Sequence, residues 1–353
     1  MAKKVNIFLL VWAILMTFVA GGAVGFEAMR YLGKTNLESK SATTAPMMDQ
    51  PKPQVVEASA VSTWQSDWVR YNGDVYDYNE DITTFLIMGI DKDDEIATEV
   101  PEGTDGGQAD SLFLLVLNPH KNSVQIIGIN RNAMTDVDIY DDNGKYQNTV
   151  VAQIATQHGF GNGMEESCQY QVKAVSNMFY QLPIHGYAAI NMSAIPTLND
   201  QVGGVDVEVL EDLTKFDKSL KKGEQVHLEG KQAYYYVKAR DIEKFGSSDN
   251  RLERQRQYLN EFIKAARDAS SEDNNAAIEI FNAIRKKMVT NISADEVSFL
   301  APYLTSYSFD STDFRMIQGE TEKNGEFEEF YVDEDDLYKT IIEVFYEKID
   351  YMD

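Results

Sequence analysis

Short apolar runs alternate with helical segments from residue 83 onward, and this alternation constrains the fold more than any other feature of the chain. The runs Thr83–Ile90, Ser111–Leu117 and Val124–Ile129 are apolar and partly β-branched, which predicts buried strands. Asn118–Asn122 predicts a hairpin turn between the second and third. Helices are predicted at Gln169–Tyr180, Ile195–Val202 and Glu229–Tyr236, and strands at Tyr187–Ile190 and Gly203–Leu210. This order predicts an α/β domain with a mixed central β-sheet flanked by helices.

The N-terminal run Val5–Phe26 contains no charged residue and is long enough to cross a bilayer core of roughly 30 Å. Lys3 and Lys4 precede it, which predicts a cytoplasmic N-terminus and an extracellular body. A cleaved signal peptide is the alternative, but the run exceeds the usual apolar region of about 7–15 residues. We therefore predict a cytoplasmic segment 1–4, one transmembrane helix at 5–26 and a single-pass protein of the cell membrane.

The region after the apolar run changes in composition. Residues 34–62 are rich in Ser, Thr, Ala and Pro, which predicts a flexible stalk within an extracellular linker 27–80. The main domain is predicted at 81–268, and 269–353 is either a flank of that domain or a small appended lobe. A lone Cys168 excludes an intrachain disulfide, so the folded body depends on its apolar core.

A cluster of positive charge at residues 231–257 contrasts with a net charge of −25 for the whole chain. Asn250 and Glu253 have capping-box spacing, which predicts a helix beginning at Asn250. Arg251 and Arg254 would then lie in the first turn, where the helix dipole disfavours cations unless an anion binds there. The cluster is therefore either an anion site or a salt-bridged, solvated helix face. The overall negative charge argues against a nucleic-acid partner.

A series of motifs between residues 81 and 268 carries a family resemblance. In order they read FLIMGID, GGQADSLFLLVLN, IIGINRNAM, HGYAAINMSAIPTLNDQVGGVDVEV, L-x-G-x-x-A-Y-Y-Y-V-K-A-R and DNRLERQRQ. Together they resemble the LytR-CpsA-Psr family of cell-envelope proteins. The resemblance implies an extracytoplasmic domain that holds an undecaprenyl-pyrophosphate-linked glycan. It also implies Mg²⁺-dependent transfer of the sugar-1-phosphate end of that glycan to a hydroxyl of peptidoglycan.

Two aspartates are the candidate metal ligands. Asp91 closes the first predicted strand and Asp110 precedes the second, and ligand sites in α/β sheets gather at strand ends. Either aspartate alone is better explained as a residue that stabilises a turn. Both match metal-binding positions of the family, so the resemblance implies a Mg²⁺ site.

The resemblance also implies the catalytic and pyrophosphate-binding positions. Arg131 matches an arginine that clamps the pyrophosphate, but Asn132 stands where the family has an aspartate. Because asparagine cannot take up a proton, this substitution affects the transfer step. Lys238 replaces the first arginine of an R-x-R pair and loses its bidentate geometry. The remaining matches to the pyrophosphate-binding pattern are Arg240, Arg251, Arg254 and Gln255.

Two functions follow from these residues. The first is an extracytoplasmic phosphotransferase that attaches a polyprenyl-pyrophosphate-linked glycan to peptidoglycan. The second, suggested by Asn132, is a non-catalytic protein that binds the lipid-linked polymer or regulates envelope assembly. A purely structural stalk or adhesin would leave the basic cluster unexplained. Both functions require Arg131, Arg240 and Arg251 to converge in the fold.

Overall fold

The computed structural model describes residues 27–40, 44–48, 64–96, 106–141, 143–240, 246–273, 275–325 and 327–351. The predicted anchor at 5–26 lies outside the described residues, as does the stalk at 41–43 and 49–62. Within the described ranges, no helix is long and apolar enough to span a bilayer.

The strands are β1 (Trp68–Tyr71), β2 (Asp74–Tyr78), β3 (Thr83–Ile90), β4 (Ala109–Asn118), β5 (Ser123–Ile129), β6 (Met134–Tyr140), β7 (Tyr146–Gln153), β8 (Gly186–Asn191), β9 (Val205–Glu208), β10 (Gln225–Leu228), β11 (Met288–Thr290), β12 (Phe314–Met316), β13 (Gly319–Asn324), β14 (Phe327–Val332) and β15 (Tyr346–Ile349). The helices are α1 (27–40), α2 (Glu165–Met178), α3 (Ile195–Gln201), α4 (Lys231–Lys238), α5 (Ser247–Glu272), α6 (Ala276–Ala283), α7 (Ala294–Ser306) and α8 (Glu334–Phe345). Short 3-10 turns lie at Ile154–Phe160, Met192–Ala194, Arg285–Lys287 and Ser311–Asp313.

A six-stranded mixed sheet forms the centre of the fold, in the order β11-β8-β3-β4-β5-β12. β3 pairs antiparallel with β4 and parallel with β8, while β5 pairs antiparallel with β4 and parallel with β12. The predicted mixed sheet is therefore confirmed. The hairpin turn is confirmed too, since β4 ends at Asn118 and β5 begins at Ser123.

The two faces of this sheet are covered by different helices. Because successive strand residues point to opposite faces, Leu86 and Leu114 pack in the main core with α2 and α8. The intervening Ile87 and Leu115 face the opposite side, which is covered by α5, α6 and α7. β3 and β4 are therefore apolar on both faces because the sheet is covered on both sides. The apolar runs of the sequence predicted this burial.

Parts of the predicted linker 27–80 are folded onto the domain, which corrects that prediction. Leu37 of α1 is only 6% exposed and packs with Leu300 and Tyr307. β1 and β2 form a sheet with β15, the last strand of the chain. These segments carry apolar side chains that become buried, which a flexible stalk cannot do.

Residues after 268 complete the central sheet. β11 and β12 form its two edges by pairing with β8 and β5. Helix α8 places Ile341 and Phe345, both fully buried, in the main core. Of the two alternatives for 269–353, the structure shows the integral flank, because the sheet continues across the proposed boundary.

The first residue of α5 differs from the prediction. The helix begins at Ser247, with Gly246 at the N-cap position and φ +75°, a left-handed conformation that glycine adopts readily. Asn250 therefore lies within the helix, and Arg251 is in the second turn. Asp249 occupies the first turn, where its negative charge matches the positive end of the helix dipole.

Candidate functional site

A β-bulge places the first acidic residue of the site. Gly89 pairs with Ser111 and Ile90 pairs with Ala109, so Asp110 is an extra residue in β4. Bulges redirect side chains and are frequent beside active sites. Asp110 is 6% exposed, and Asp91 directly follows β3, its neighbour in the sheet. Two carboxylates thus arise at adjacent strand ends, as the sequence predicted.

Two arginines from distant segments bind the Asp110 carboxylate. Arg131, which follows β5, places Nη1 3.0 Å from Oδ1 of Asp110. Arg251, on α5, donates from Nη1 to Oδ2 of Asp110 at 2.8 Å. A second hydrogen bond joins Arg131 Nη2 to the side-chain oxygen of Gln108. The two guanidinium groups are therefore held together by one buried carboxylate.

Arg240 is the third guanidinium of the site. It follows α4, and its Nε donates to Oγ of Ser247 at 3.1 Å. Burial lowers the pKa of Arg131. The charge of Asp110 opposes this effect, whereas the neighbouring Arg251 and Arg240 lower the pKa further. The pKa of Arg240 is also lowered, first by burial and then by Arg251. The structure thus brings together the three arginines, and their mutual repulsion favours binding of an anion.

Lys238 joins the acidic side of the site. Its Nζ lies 3.2 Å from Oδ1 of Asp91 and 3.1 Å from Oδ2 of Asp93. Burial opposes the charge, but hydrogen bonds with Tyr234, Asp93 and Asp91 raise the pKa of Lys238 above its usual value. Sequence reasoning missed Asp93, although its position two residues after Asp91 in IDKDDE was a visible signal.

Arg254 and Gln255 bind protein backbone, which corrects their prediction as pyrophosphate ligands. Arg254 is 1% exposed and donates from Nη1 and Nη2 to the carbonyls of Tyr236 and Ala239, at the end of α4. Its Nε lies 3.6 Å from Oε2 of Glu211. Gln255 donates from Nε2 to the carbonyl of Val237 at 3.2 Å. The last carbonyls of a helix lack intrahelical partners, and these two side chains satisfy them.

Asn132 is 3% exposed and lies beside the arginine group. Its backbone nitrogen donates to Oδ1 of Asn130 at 2.9 Å, and its carbonyl accepts from the nitrogen of Phe330 at 2.9 Å. Among the described residues, its Nδ2 has no hydrogen-bond partner, and the same holds for the buried Nε of Arg131. A buried donor without an acceptor costs about 1–3 kcal/mol. Two such donors on adjacent residues therefore favour the binding of an acceptor oxygen from a ligand.

The acidic pair fits a hard divalent cation that also contacts its substrate. Mg²⁺ is usually held by one or two protein carboxylates, with substrate phosphates and water completing its octahedron. Asp91 and Asp110 supply that number from neighbouring strand ends. The described residues contain no group of three or more His, Cys, Asp or Glu that could hold a metal without a substrate. These two carboxylates are now balanced by Lys238, Arg131 and Arg251.

An apolar cavity of about 330 Å³ lies between the central sheet and helices α5 to α7. Its lining includes Ile87, Phe113, Leu115, Ile126 and Ile190 from the sheet, and Leu259, Phe262, Ile263 and Ala266 from α5. Helix α5 links this cavity to the arginine group, because Leu252, the residue after Arg251, packs with the cavity-lining Phe113 and Ile126.

Sequence reasoning missed this cavity. The aromatic side chain of Tyr236 on α4 does not line it, because Tyr236 is fully buried in a separate core with Val207 and Leu228 of the β9–β10 sheet. The signal for the cavity was the apolar character of both faces of β3 and β4.

These features define the class of the protein. The model of the LytR_cpsA_psr family matches residues 35–343, and the chain belongs to this family, as its motifs predicted. The polyisoprenyl-teichoic acid–peptidoglycan teichoic acid transferase TagU of Bacillus anthracis is 30% identical over 214 residues, which are 61% of this chain and 62% of TagU. TagU of Halalkalibacterium halodurans is 27% identical over 216 residues, 61% of this chain and 63% of that protein. The matched region thus spans less than two thirds of these relatives.

Solved structures show the same fold. Bacillus subtilis TagV aligns with a TM-score of 0.57 and 24% identity, covering 74% of this chain and 96% of TagV. The structure of TagT bound to LI-WTA aligns with a TM-score of 0.55 and 20% identity, covering 75% of this chain and 89% of TagT. At these identities the likeness concerns the fold, a mixed sheet flanked by helices.

Proposed function

We propose that this chain is an extracytoplasmic phosphotransferase that transfers a glycan from a polyprenyl pyrophosphate to peptidoglycan. One observation supports this most strongly: the guanidinium groups of Arg131, Arg240 and Arg251 gather at one site, and helix α5, which carries Arg251, also lines an apolar cavity. A diphosphate head joined to an aliphatic tail has the same two parts. Soluble phosphate substrates would need no apolar cavity, and a fatty acid would need fewer cations.

The relatives support the choice of glycan and acceptor. TagU is named as an enzyme that moves teichoic acid from a polyisoprenyl carrier to peptidoglycan. Family membership supports extending that chemistry to this chain as a cell-wall glycopolymer transferase. A body outside the cell membrane, held by an N-terminal helix, gives such an enzyme access to both its lipid donor and the wall.

Each group of the site has a role in this proposal. Arg131, Arg240 and Arg251 bind the diphosphate, and the phosphate oxygens take over the hydrogen bonds now accepted by Asp110. Asp91 and the released Asp110 would hold Mg²⁺, which neutralises charge on the phosphate when bound. Lys238 would balance the charge of the acidic side. The cavity buries the first isoprene units and fixes the scissile bond relative to these cations.

The test uses the full chain purified in detergent. Incubated with Mg²⁺, a synthetic polyprenyl-pyrophosphate-linked disaccharide and peptidoglycan, it should release polyprenyl phosphate and label the wall, both followed by mass spectrometry. Chelation with EDTA should stop the reaction, and added Mg²⁺ should restore it. If the donor binds and no polyprenyl phosphate appears, the transferase proposal is wrong.

Non-catalytic binding is the second candidate, and the buried amide of Asn132 is the observation that favours it. Under this alternative, the donor binds tightly without turnover. An Asn132→Asp variant should then gain turnover, because a carboxylate would restore a proton acceptor. Turnover by the unchanged protein would contradict this candidate.

The cavity yields a separate prediction. Replacing Ala266 with Phe places a ring inside the cavity and should weaken binding of farnesyl pyrophosphate about tenfold or more, since each buried methylene contributes about 0.8 kcal/mol. Binding of inorganic pyrophosphate should be unchanged. Isothermal titration calorimetry measures both ligands. Lys264→Phe, which adds the same ring at an exposed position of α5, is the control. An equal loss for both ligands would show that the cavity does not hold the tail.

A further inference from the structure

The proposed transfer needs a group that accepts the proton of the acceptor hydroxyl, and Asn132 cannot do so. The two carboxylates nearest the arginines have other roles: Asp110 is a proposed Mg²⁺ ligand, and Asp249 joins α5 to Asn130 and Thr321. Both oxygens of Asp110 are bound by arginines. Asp249 accepts from Nδ2 of Asn130 at 3.0 Å and from Oγ1 of Thr321 at 3.2 Å.

Glu328 is a further carboxylate at this site, and it comes from a region outside the sequence motifs. It lies on β14 and is 8% exposed. Its Oε1 accepts from the backbone nitrogen of Gly246 at 2.7 Å, at the beginning of α5. Its Oε2 lies 3.5 Å from Nη2 of Arg240, which is the long limit of a hydrogen bond. Among the residues that the structure describes, Glu328 therefore contacts one neutral donor and one distant guanidinium, whereas Asp110 contacts two close guanidinium groups.

The β13–β14 hairpin holds Glu328 in place. The nitrogen of Phe330, two residues along the same strand, donates to the carbonyl of Asn132 at 2.9 Å. The carbonyl of Glu328 itself accepts from Nε2 of Gln153 at 2.7 Å. Glu328 and Phe330 are both buried and therefore share the inner face of β14. The hairpin thus holds the Glu328 carboxylate against Arg240 and the first residues of α5, on a strand that is itself bonded to Asn132.

We propose that Glu328 is the proton acceptor of the transfer reaction, the role that a carboxylate at position 132 would otherwise fill. This inference rests on the proposed function. The acceptor hydroxyl oxygen forms a bond to the phosphorus of the sugar-1-phosphate, and its proton passes to Glu328. The bond from that phosphorus to the bridging oxygen breaks, and the electron pair leaves with the polyprenyl phosphate. Arg131 and Arg251 stabilise the charge of the leaving phosphate, and Glu328 then returns its proton to water.

Glu328→Gln is the decisive variant, because glutamine keeps the shape and the acceptor for Gly246 but cannot take up a proton. In full-length protein with the synthetic disaccharide donor, kcat should fall roughly 10²–10⁴-fold. The dissociation constant for farnesyl pyrophosphate should stay within about threefold. The acidic limb of the kcat–pH profile should also disappear. Glu322→Gln, an exposed change on the same hairpin, should alter none of these values.

The outcomes separate this inference from the proposed function. If unchanged protein releases no polyprenyl phosphate, the transferase function itself fails, and the inference fails with it. If the unchanged protein turns over and Glu328→Gln retains its kcat, only the inference is overturned. Equal losses of kcat and of pyrophosphate affinity would show that Glu328 merely positions Arg240, which also overturns it. Should Glu328→Gln not fold, Glu328→Asp keeps the acid and must retain the acidic limb with a lower kcat, or the inference is wrong.

Discussion

Replacing Arg251 with alanine should weaken binding of farnesyl pyrophosphate about 10²–10³-fold, while the protein remains folded. Arg251 is 5% exposed, and a buried charged hydrogen bond to a ligand contributes about 2–5 kcal/mol to affinity. Asp110 keeps its ion pair with Arg131, so the variant leaves no unpaired buried charge. This separation of binding from folding is what identifies a ligand-binding arginine.

Calorimetric titration with farnesyl pyrophosphate measures the affinity, and denaturant unfolding measures stability. Arg256→Ala is the matched control, since Arg256 is on the same helix but pairs with Glu253 at its surface. The control should retain both properties. If Arg251→Ala binds the probe within threefold of the unchanged protein, the pyrophosphate site lies elsewhere.

Replacing Arg254 with alanine should have the opposite effect and lower the free energy of unfolding by about 3–5 kcal/mol. The change removes the donors for the carbonyls of Tyr236 and Ala239 and the guanidinium that lies 3.6 Å from Glu211. It also leaves a cavity between α4 and α5. Urea unfolding followed by circular dichroism measures the loss.

The affinity of the folded Arg254→Ala variant shows whether Arg254 also contacts the ligand. At a temperature where the Arg254→Ala variant is folded, its affinity for farnesyl pyrophosphate should be within about threefold of the unchanged protein. A stable variant with strongly reduced affinity would contradict the structural role and restore the sequence-based assignment. Gln255→Ala should show a smaller loss of stability, because it removes one neutral hydrogen bond, worth about 1 kcal/mol.

The sequence predicted the sheet and the general location of the site well. The bounds of β3 agree residue for residue with the predicted strand Thr83–Ile90. Asp91 and Asp110 lie at adjacent strand ends, and Arg131, Arg240 and Arg251 converge. These predictions succeeded because side-chain alternation, turn residues and motif order are local properties of the chain.

Other features depended on contacts between segments far apart in sequence. The carboxylate of Glu328 accepts a hydrogen bond from Gly246, which is 82 positions away in the sequence, and no motif connects the two residues. The apolar cavity forms only where α5 to α7 cross the sheet. The folded parts of the predicted linker, such as β1 and β2, pair with a strand at the other end of the chain.

The sequence by itself therefore determined the α/β class, the family and the residues from which the site is built. Tertiary structure alone decided which of those residues meet at the proposed site. Arg251 and Arg254 have the same chemistry on one helix, yet Arg251 meets the carboxylate of Asp110 while Arg254 meets the carbonyls that end α4. The physical reason is that the partner of a buried charge is set by the segment packed against it, and that packing is not encoded in local spacing.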